Sequence, residues 1–206
     1  MKKLFLVLLS AFLCSALFLG CSEKIMGYSV VLWNIPEQDI KSGDVLPVYI
    51  KSNISHVYVA QKPDGEKIEI PLWQLTEPVK KGKLSSVIKK YEPTALTYAS
   101  VKTDGLPCRA EAVNTSKQVY RLRKGEVIKI LYKGTGQIPM TGGVPLEGDW
   151  YKILTEDGTS GWCFSYNLKL YETDGKDNGL SSVQEAVKEE VDNALKLYIE
   201  KNKDEE

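Results

Sequence analysis

The stretch from Gly105 to Glu172 constrains the fold most, because its apolar residues alternate in short runs that turn residues interrupt. Three runs have the pattern of half-buried strands: residues 127–131, 150–154 and 161–164. Lys124-Gly125 precedes the first run, and Asp157-Gly158 separates the other two. Such pairs are typical of tight turns. Strands this short, joined by turns, predict a small all-β barrel rather than a βαβ unit.

The motifs of this stretch also occur in a specific order. They are Leu106-x-Cys108-Arg109, Leu122-x-Lys124-Gly125-Glu126-x-Ile128, Trp150-Tyr151-Lys152-Ile153, Asp157-Gly158, and Gly161-Trp162-Cys163 ending in Leu168. In this order and spacing they resemble a bacterial SH3 domain (SH3b), over about a third of the chain. Two features depart from the family pattern. Cys108 and Cys163 stand where valine is usual, and the loop Thr135–Glu147 is long.

An internal repeat predicts a second barrel of the same kind upstream. Residues 42–49 align with 124–131 at a shift of 82 residues. Further on, Val57-Tyr58-Val59, Asp64-Gly65 and Trp73-x-Leu75 align with the later copy at a shift of 93. The change in shift predicts an eleven-residue insertion within Thr135–Glu147. The first copy lacks the Gly-Trp pair, so an unrelated β-meander stays open as the alternative.

Two helical patterns complete the predicted architecture. Residues 79–90 have apolar residues at helical spacing and end before Pro93, which predicts a short helix packed between the barrels. Residues 180–201 carry the apolar stripe Val183, Val187, Val191, Ala194 and Tyr198, which indicates a docking face rather than a coiled coil.

The predicted fold is therefore mainly β, with two small SH3-like barrels in tandem joined by a short helix, plus a C-terminal α-helix. The expected divisions are a signal peptide (1–20), a lipid-anchored tether (21–27), a divergent SH3-like domain (28–78), a helix and connecting strand (79–104), the SH3b domain (105–172), and a linker with an amphipathic helix (173–206).

The N-terminus has the composition of a secretory signal: two lysines, an apolar run from Leu4 to Phe18, and a small residue before Cys21. Leu17-Phe18-Leu19-Gly20-Cys21 resembles a bacterial lipobox, which implies lipidation of Cys21. Cleavage elsewhere by ordinary signal peptidase, or an uncleaved anchor, is the alternative. Ser22 is not the aspartate that retains some lipoproteins at the inner membrane, which favours the periplasmic face of the outer membrane.

Composition limits the possible chemistry. The chain has 27 basic and 27 acidic residues, and loss of Lys2 and Lys3 would leave 25 against 27. That balance argues against a nucleic-acid partner. SH3b domains often accompany cell-wall peptidases that use Cys and His, but His56 is the single histidine. No nucleophile–base pair, metal site or cofactor site is expected, so the chain is predicted not to be an enzyme.

The SH3b resemblance places Cys108 and Cys163 at inward-facing positions of one barrel. After secretion and acylation of Cys21 they would be an even pair of thiols in an oxidising compartment, which predicts a disulfide between them. Two separate buried thiols are the competing interpretation.

The aromatic residues are the remaining functional signal, since Trp and Tyr combine large contact area with a polar group. The candidates for ligand binding are Trp150, Tyr151, Trp162, Tyr166, Trp33 and Trp73. The resemblance implies that those of the second barrel line the groove that SH3-type barrels use. Filling a small core is the alternative role.

Taken with the resemblance, these features predict a membrane-anchored, non-enzymatic binding module of the bacterial cell envelope. Its partner would be peptidoglycan or an envelope protein, with the membrane contacted through Cys21. The alternative is an accessory or targeting subunit of a cell-wall hydrolase or envelope assembly whose catalytic part is another chain.

Overall fold

The computed structural model describes residues 24–173 and 180–203, with side chains of the last segment described from Gln184 to Lys201. The signal peptide, Cys21 and the linker at 174–179 lie outside the described residues.

The first barrel is an antiparallel meander whose strands pair in chain order. Its strands are β1 (Gly27–Val30), β2 (Val45–Ser52), β3 (Val57–Gln61) and β4 (Lys67–Pro71), followed by a 3₁₀ helix at Leu72–Gln74. The chain then returns beside β1, where Leu75 bridges Val31 and Val79 bridges Tyr28. Apolar side chains that alternate along β2 and β3 form its core, including Leu46, Val48, Tyr58 and Ala60.

The connecting segment contains helix α1 (Lys81–Tyr91), a 3₁₀ helix (Glu92–Thr94) and strand β5 (Thr97–Val101). Pro93 lies in the 3₁₀ turn just after α1, as expected of a residue that cannot continue a helix. Strand β5 enters the sheet of the second barrel, between the strands at Val127–Gly134 and Leu168–Glu172.

The second barrel is built on a seven-stranded antiparallel sheet in the order β13-β5-β8-β11-β12-β6-β7. Its own strands are β6 (Leu106–Arg109), β7 (Gln118–Leu122), β8 (Val127–Gly134), β11 (Trp150–Leu154), β12 (Ser160–Phe164) and β13 (Leu168–Glu172). A two-stranded hairpin, β9 (Met140–Thr141) and β10 (Val144–Pro145), lies within the long loop between β8 and β11. A 3₁₀ helix at Ser165–Asn167 precedes β13.

The two barrels repeat one fold, as the internal repeat predicts. Strand β8 is β2 shifted by 82 residues, and β11 and β12 are β3 and β4 shifted by 93. Four residues (53–56) join β2 to β3, whereas fifteen (135–149) join β8 to β11, so the insertion of eleven residues is confirmed. Tyr58 and Tyr151 occupy equivalent strand positions, and both Asp-Gly turns have glycine at positive φ. The predicted fold class of mainly β structure with tandem SH3-like barrels is confirmed.

An interdomain cluster of large side chains joins the barrels. The rings of Trp33 and Tyr98 meet edge to face at 5.7 Å, and Trp33 meets Trp73 in the same way. The buried part of the cluster also contains Leu32 of the first barrel and three residues of the second barrel: Val127, Leu131 and Leu154. A Cβ on Gly158 would stand 2.7 Å from Cγ of Trp73, so the Asp157-Gly158 turn of the second barrel packs directly against this ring.

Helix α2 (Leu180–Lys203) packs its first half against the second barrel. Val187 contacts the interdomain cluster, and Glu190 forms an ion pair with Lys169 of β13. Further along, Val191 and Tyr198 of the predicted stripe are exposed. Within the described part of the chain, no helix has the length and apolar character needed to cross a membrane.

Candidate functional site

The second barrel has a cleft where its two longest loops meet the end of β12. This cleft is the candidate binding site, and we call it the ligand groove. The cleft encloses about 110 Å³ and is lined by Leu106, Pro107, Arg109, Asn114, Pro139, Leu146, Trp150, Phe164, Tyr166 and Asn167. Nine of these ten residues are uncharged, so the ligand groove suits an extended, mostly uncharged ligand that offers apolar groups.

Trp150 forms the floor of the ligand groove. It starts β11, is buried, and stacks edge to face on Phe164 with ring centroids 5.5 Å apart. Its indole Nε1 donates a hydrogen bond to the carbonyl of Gln137 at 2.7 Å, and the backbone N–H of Gln137 donates to the carbonyl of Ala112. The long loop and the loop between β6 and β7 are therefore tied together across the indole ring, which sets the width of the groove.

Tyr166 is the exposed aromatic residue of the ligand groove. It is the middle residue of the 3₁₀ helix at Ser165–Asn167, and 52% of its surface is accessible. Ser165 holds this helix against the start of β11, because its N–H donates to the Asp149 carbonyl and its hydroxyl accepts from the Asp149 N–H, both at 2.9 Å. The phenol thus stands on a fixed turn beside a buried indole, an arrangement that offers a ring face and a hydroxyl to a ligand.

Arg109 supplies the charge at the wall of the ligand groove. One terminal guanidinium nitrogen donates to the carbonyl of Ser116 at 2.7 Å, and the other donates to Oδ1 of Asn114 at 3.3 Å. Its Nε is buried and has no partner among the described residues. These contacts brace the loop between β6 and β7 and leave a positive charge beside the apolar floor.

The other predicted aromatic residues lie elsewhere. Trp162 packs against Tyr132 at 5.6 Å, beside the Trp150 cluster but outside the lining of the groove. Tyr151 packs against the barrel core. Trp33 is buried in the interdomain cluster, where Trp73 also packs. The structure therefore brings Trp150 and Tyr166 together in one cleft and places Trp33 in the interdomain cluster, away from that cleft.

Residues of the long loop also belong to this site, although the sequence predicted only the insertion and not its contribution to a site. Pro139 and Leu146 form one wall of the groove, with the Leu146 N–H donating to the Pro139 carbonyl at 2.9 Å. The sequence contained one signal for this wall, because the insertion comes directly before Trp150 and long loops are often functional.

Cys108 and Cys163 do not form the predicted disulfide in this structure, where both are free and fully buried. They lie on the adjoining strands β6 and β12, which pair through Arg109 and Trp162. The Cys108 side chain fills the space left by Gly161, where an added Cβ would stand 2.2 Å from its Sγ. The two thiols serve as small apolar groups in the core, which is the competing interpretation.

The thiols are also unsuited to nucleophilic chemistry. Burial raises the pKa of Cys108 to about 11 and raises the pKa of Cys163 as well. A thiol in this state carries almost no thiolate at neutral pH. His56 lies in the β2–β3 turn of the other barrel, so the described residues contain no Cys–His pair of the kind that cell-wall peptidases use.

Comparisons with known proteins agree with this division into two units. Residues 26–93 match the family described as TP0260 family, N-terminal SH3 domain, and residues 104–169 match the bacterial SH3 domain family. An uncharacterized protein of Treponema pallidum (strain Nichols) is 42% identical over 156 residues, which are 76% of this chain and 34% of that protein. The chain thus spans about a third of the length of the curated relative that it matches.

Proposed function

We propose, from the premise that this chain carries two SH3 domains in tandem, that it is a non-enzymatic binding module of the bacterial cell envelope. The second SH3 domain would bind a peptide-like ligand in the ligand groove, either the peptide part of peptidoglycan or an extended segment of an envelope protein. Cys21 would carry the lipid that holds the module at the periplasmic face of a membrane.

The observation that carries this proposal is the pairing of a buried indole with an exposed phenol in one cleft. Trp150 is 4% exposed and fixes the floor, while Tyr166 beside it is 52% exposed. Aromatic side chains on rigid supports are typical anchors for a ligand, because little conformational entropy is lost when they bind. The apolar walls from Pro139 and Leu146 suit a chain of small side chains more than a charged polymer.

The first SH3 domain has a different role in this proposal. Its Trp33 and Trp73 pack against the second domain, so it supports the ligand-binding domain and holds it next to the tether. A binding role for the second domain and a supporting role for the first agree with the occurrence of the Gly-Trp motif and the long loop in the second copy alone.

The test is retention of purified protein by peptidoglycan sacculi and, separately, by immobilised envelope extract. Tyr166→Ala should weaken retention by the true ligand about tenfold or more, which corresponds to a typical aromatic anchor. Tyr198→Ala is the matched control, since Tyr198 is a similarly exposed tyrosine on α2, outside the groove.

The outcome also separates the two ligand classes. Loss of retention on sacculi identifies peptidoglycan, and loss of capture from extract identifies a protein. A hydrolase among the captured proteins would favour the accessory-subunit alternative. Equal retention of Tyr166→Ala and the unaltered protein on both materials would refute the ligand groove as the binding site.

A further inference from the structure

The first barrel concentrates its exposed apolar side chains at one end. Within the described residues of this barrel, the exposed large hydrophobic residues are Ile25 (38%), Met26 (50%), Ile50 (52%) and Ile54 (97%). Ile54 lies in the four-residue turn between β2 and β3, with almost its entire surface in solvent. We call these four residues the apolar tip. Scattered exposed apolar residues need no explanation, but a group at one end of a small domain does.

The strand pairing places the apolar tip where the chain enters the barrel. Strand β1 runs antiparallel to β2, with Gly27 opposite Val48. The N–H of Met26 still donates to the Val48 carbonyl at 2.7 Å, so the residues before β1 run along the second half of β2. They therefore point toward the β2–β3 turn, and the Asp64-Gly65 turn lies at the opposite end of β3.

The tether is long enough for Cys21 to lie at the same distance from the barrel as the apolar tip. Continuing the β1–β2 register places Lys24 beside Lys51. Cys21 is three residues before Lys24, a span of at most about 11 Å. Ile54 lies in the turn two residues after β2 ends, so it projects less than about 11 Å beyond Lys51. The tether is therefore long enough to place Cys21 at the same distance from the barrel as the turn.

The turn is built to hold an apolar side chain outward. Its ends are fixed by hydrogen bonds from the N–H and hydroxyl of Ser55 to Oγ of Ser52, at 3.2 and 2.6 Å. His56 adopts φ of +55°, which closes the turn tightly. Small polar residues thus surround one projecting isoleucine, a composition that suits the boundary between lipid headgroups and acyl chains.

We propose that the apolar tip contacts the same bilayer that holds the lipid on Cys21, with Ile54 inserted at the boundary of the acyl chains. The inference rests on the lipid anchor of the proposed function. It adds a second attachment point at a fixed place on the first barrel, which restricts how the protein stands on the membrane and hence where the ligand groove faces.

The experiment uses the full lipidated chain reconstituted in phospholipid vesicles. Ile54→Cys is labelled with an environment-sensitive fluorophore, and quenching by spin-labelled lipids is measured. Glu66→Cys is the matched control, because residue 66 is exposed at the opposite end of β3 on the same barrel. The native thiols at 108 and 163 are buried and give little background, which the unaltered protein measures. Flotation of the vesicles, compared with an unlipidated chain that begins at Ser22, reports the lipid anchor independently.

The expected result is flotation that is lost in the unlipidated chain beginning at Ser22, with lipid quenching at position 54 roughly threefold or more above that at position 66. Flotation with equal quenching at both positions would overturn the apolar tip while leaving the anchor intact. Failure of the unaltered chain to float would overturn both. A third outcome is blue-shifted emission at position 54 that increases with protein concentration, without quenching by the spin-labelled lipids. It would mean that a second copy of the chain covers the apolar tip, and it would also overturn the proposal.

Discussion

Lys129 provides a sharp test of the packing between the two SH3 domains. It lies on β8 with 1% of its surface exposed, beneath the connecting segment. Its Nζ donates to the carbonyl oxygens of Thr94, Thr97 and Ile130, at 2.6, 2.9 and 2.8 Å. The amine lies over the ring of Tyr98, at 5.0 Å from its centroid. The lysine therefore ties the connecting segment to the second barrel.

Burial of this amine makes the stability depend on pH. Burial lowers the pKa of Lys129 from 10.5 in the unfolded chain to about 7 in the folded protein. Each pKa unit corresponds to about 1.4 kcal/mol, so keeping this lysine charged in the folded state costs about 5 kcal/mol at pH well below 7. Between pH 7 and 10.5 the unfolded chain binds more protons than the folded one, so the free energy of unfolding rises with pH in this window.

The change in the free energy of unfolding between pH 7 and pH 9 follows from the same two pKa values. Raising the pH from 7 to 9 should increase the free energy of unfolding by about 2 kcal/mol through this residue. Lys129→Met removes the titrating group and keeps most of the apolar stem, so the increase should vanish in this variant. Buried cysteines act in the opposite direction near pH 9, because burial raises the pKa of Cys108 and Cys163. Their contribution is common to both proteins and cancels in the difference.

Urea unfolding followed by tryptophan fluorescence at pH 7 and pH 9 measures the effect, since Trp33 and Trp73 report on the interdomain cluster. Lys124→Met serves as the control, because Lys124 is an exposed lysine in the turn before β8. The free energy of unfolding of the unaltered protein minus that of Lys129→Met should rise by about 2 kcal/mol between pH 7 and pH 9. The same difference taken with Lys124→Met should stay constant. If the difference in free energy of unfolding between the unaltered protein and Lys129→Met is the same at pH 7 and pH 9, the three carbonyl oxygens keep Lys129 as the ammonium form in the folded protein. The reasoning from burial would then be refuted.

Two further predictions concern the packing of the second barrel. Gly158→Ala should lower the free energy of unfolding by about 1–2 kcal/mol more than Gly125→Ala, because both glycines have positive φ but only the new methyl at 158 meets Trp73; equal losses in chemical unfolding would contradict the contact. Denatured, unreduced protein should take up alkylating agent at both Cys108 and Cys163, whereas the folded protein should react slowly; an intact mass without added alkyl groups after denaturation would contradict free thiols.

The repeat and the strands could be predicted from the sequence because both depend on neighbouring residues. Alternation of apolar residues and the Asp-Gly turns are local signals, and they located β8, β11 and β12, while the constant shift of 93 residues located β3. The same comparison located the inserted loop to within a few residues. The aromatic pair of the ligand groove was also among the candidates, because the SH3b motifs include the tryptophan that starts β11 and the resemblance implies the groove.

The contacts between the barrels were decided by the tertiary structure alone. The run Val127–Leu131 has the alternation of a half-buried strand, yet all five residues are buried, Lys129 included. Alternation describes a strand with one face in water, and nothing within the run shows that the connecting segment and the first barrel cover the other face. For the same reason Trp33 resembles a ligand-binding residue in the sequence and is an interdomain residue in the fold. Burial between two domains depends on residues distant in the chain, so no local pattern records it.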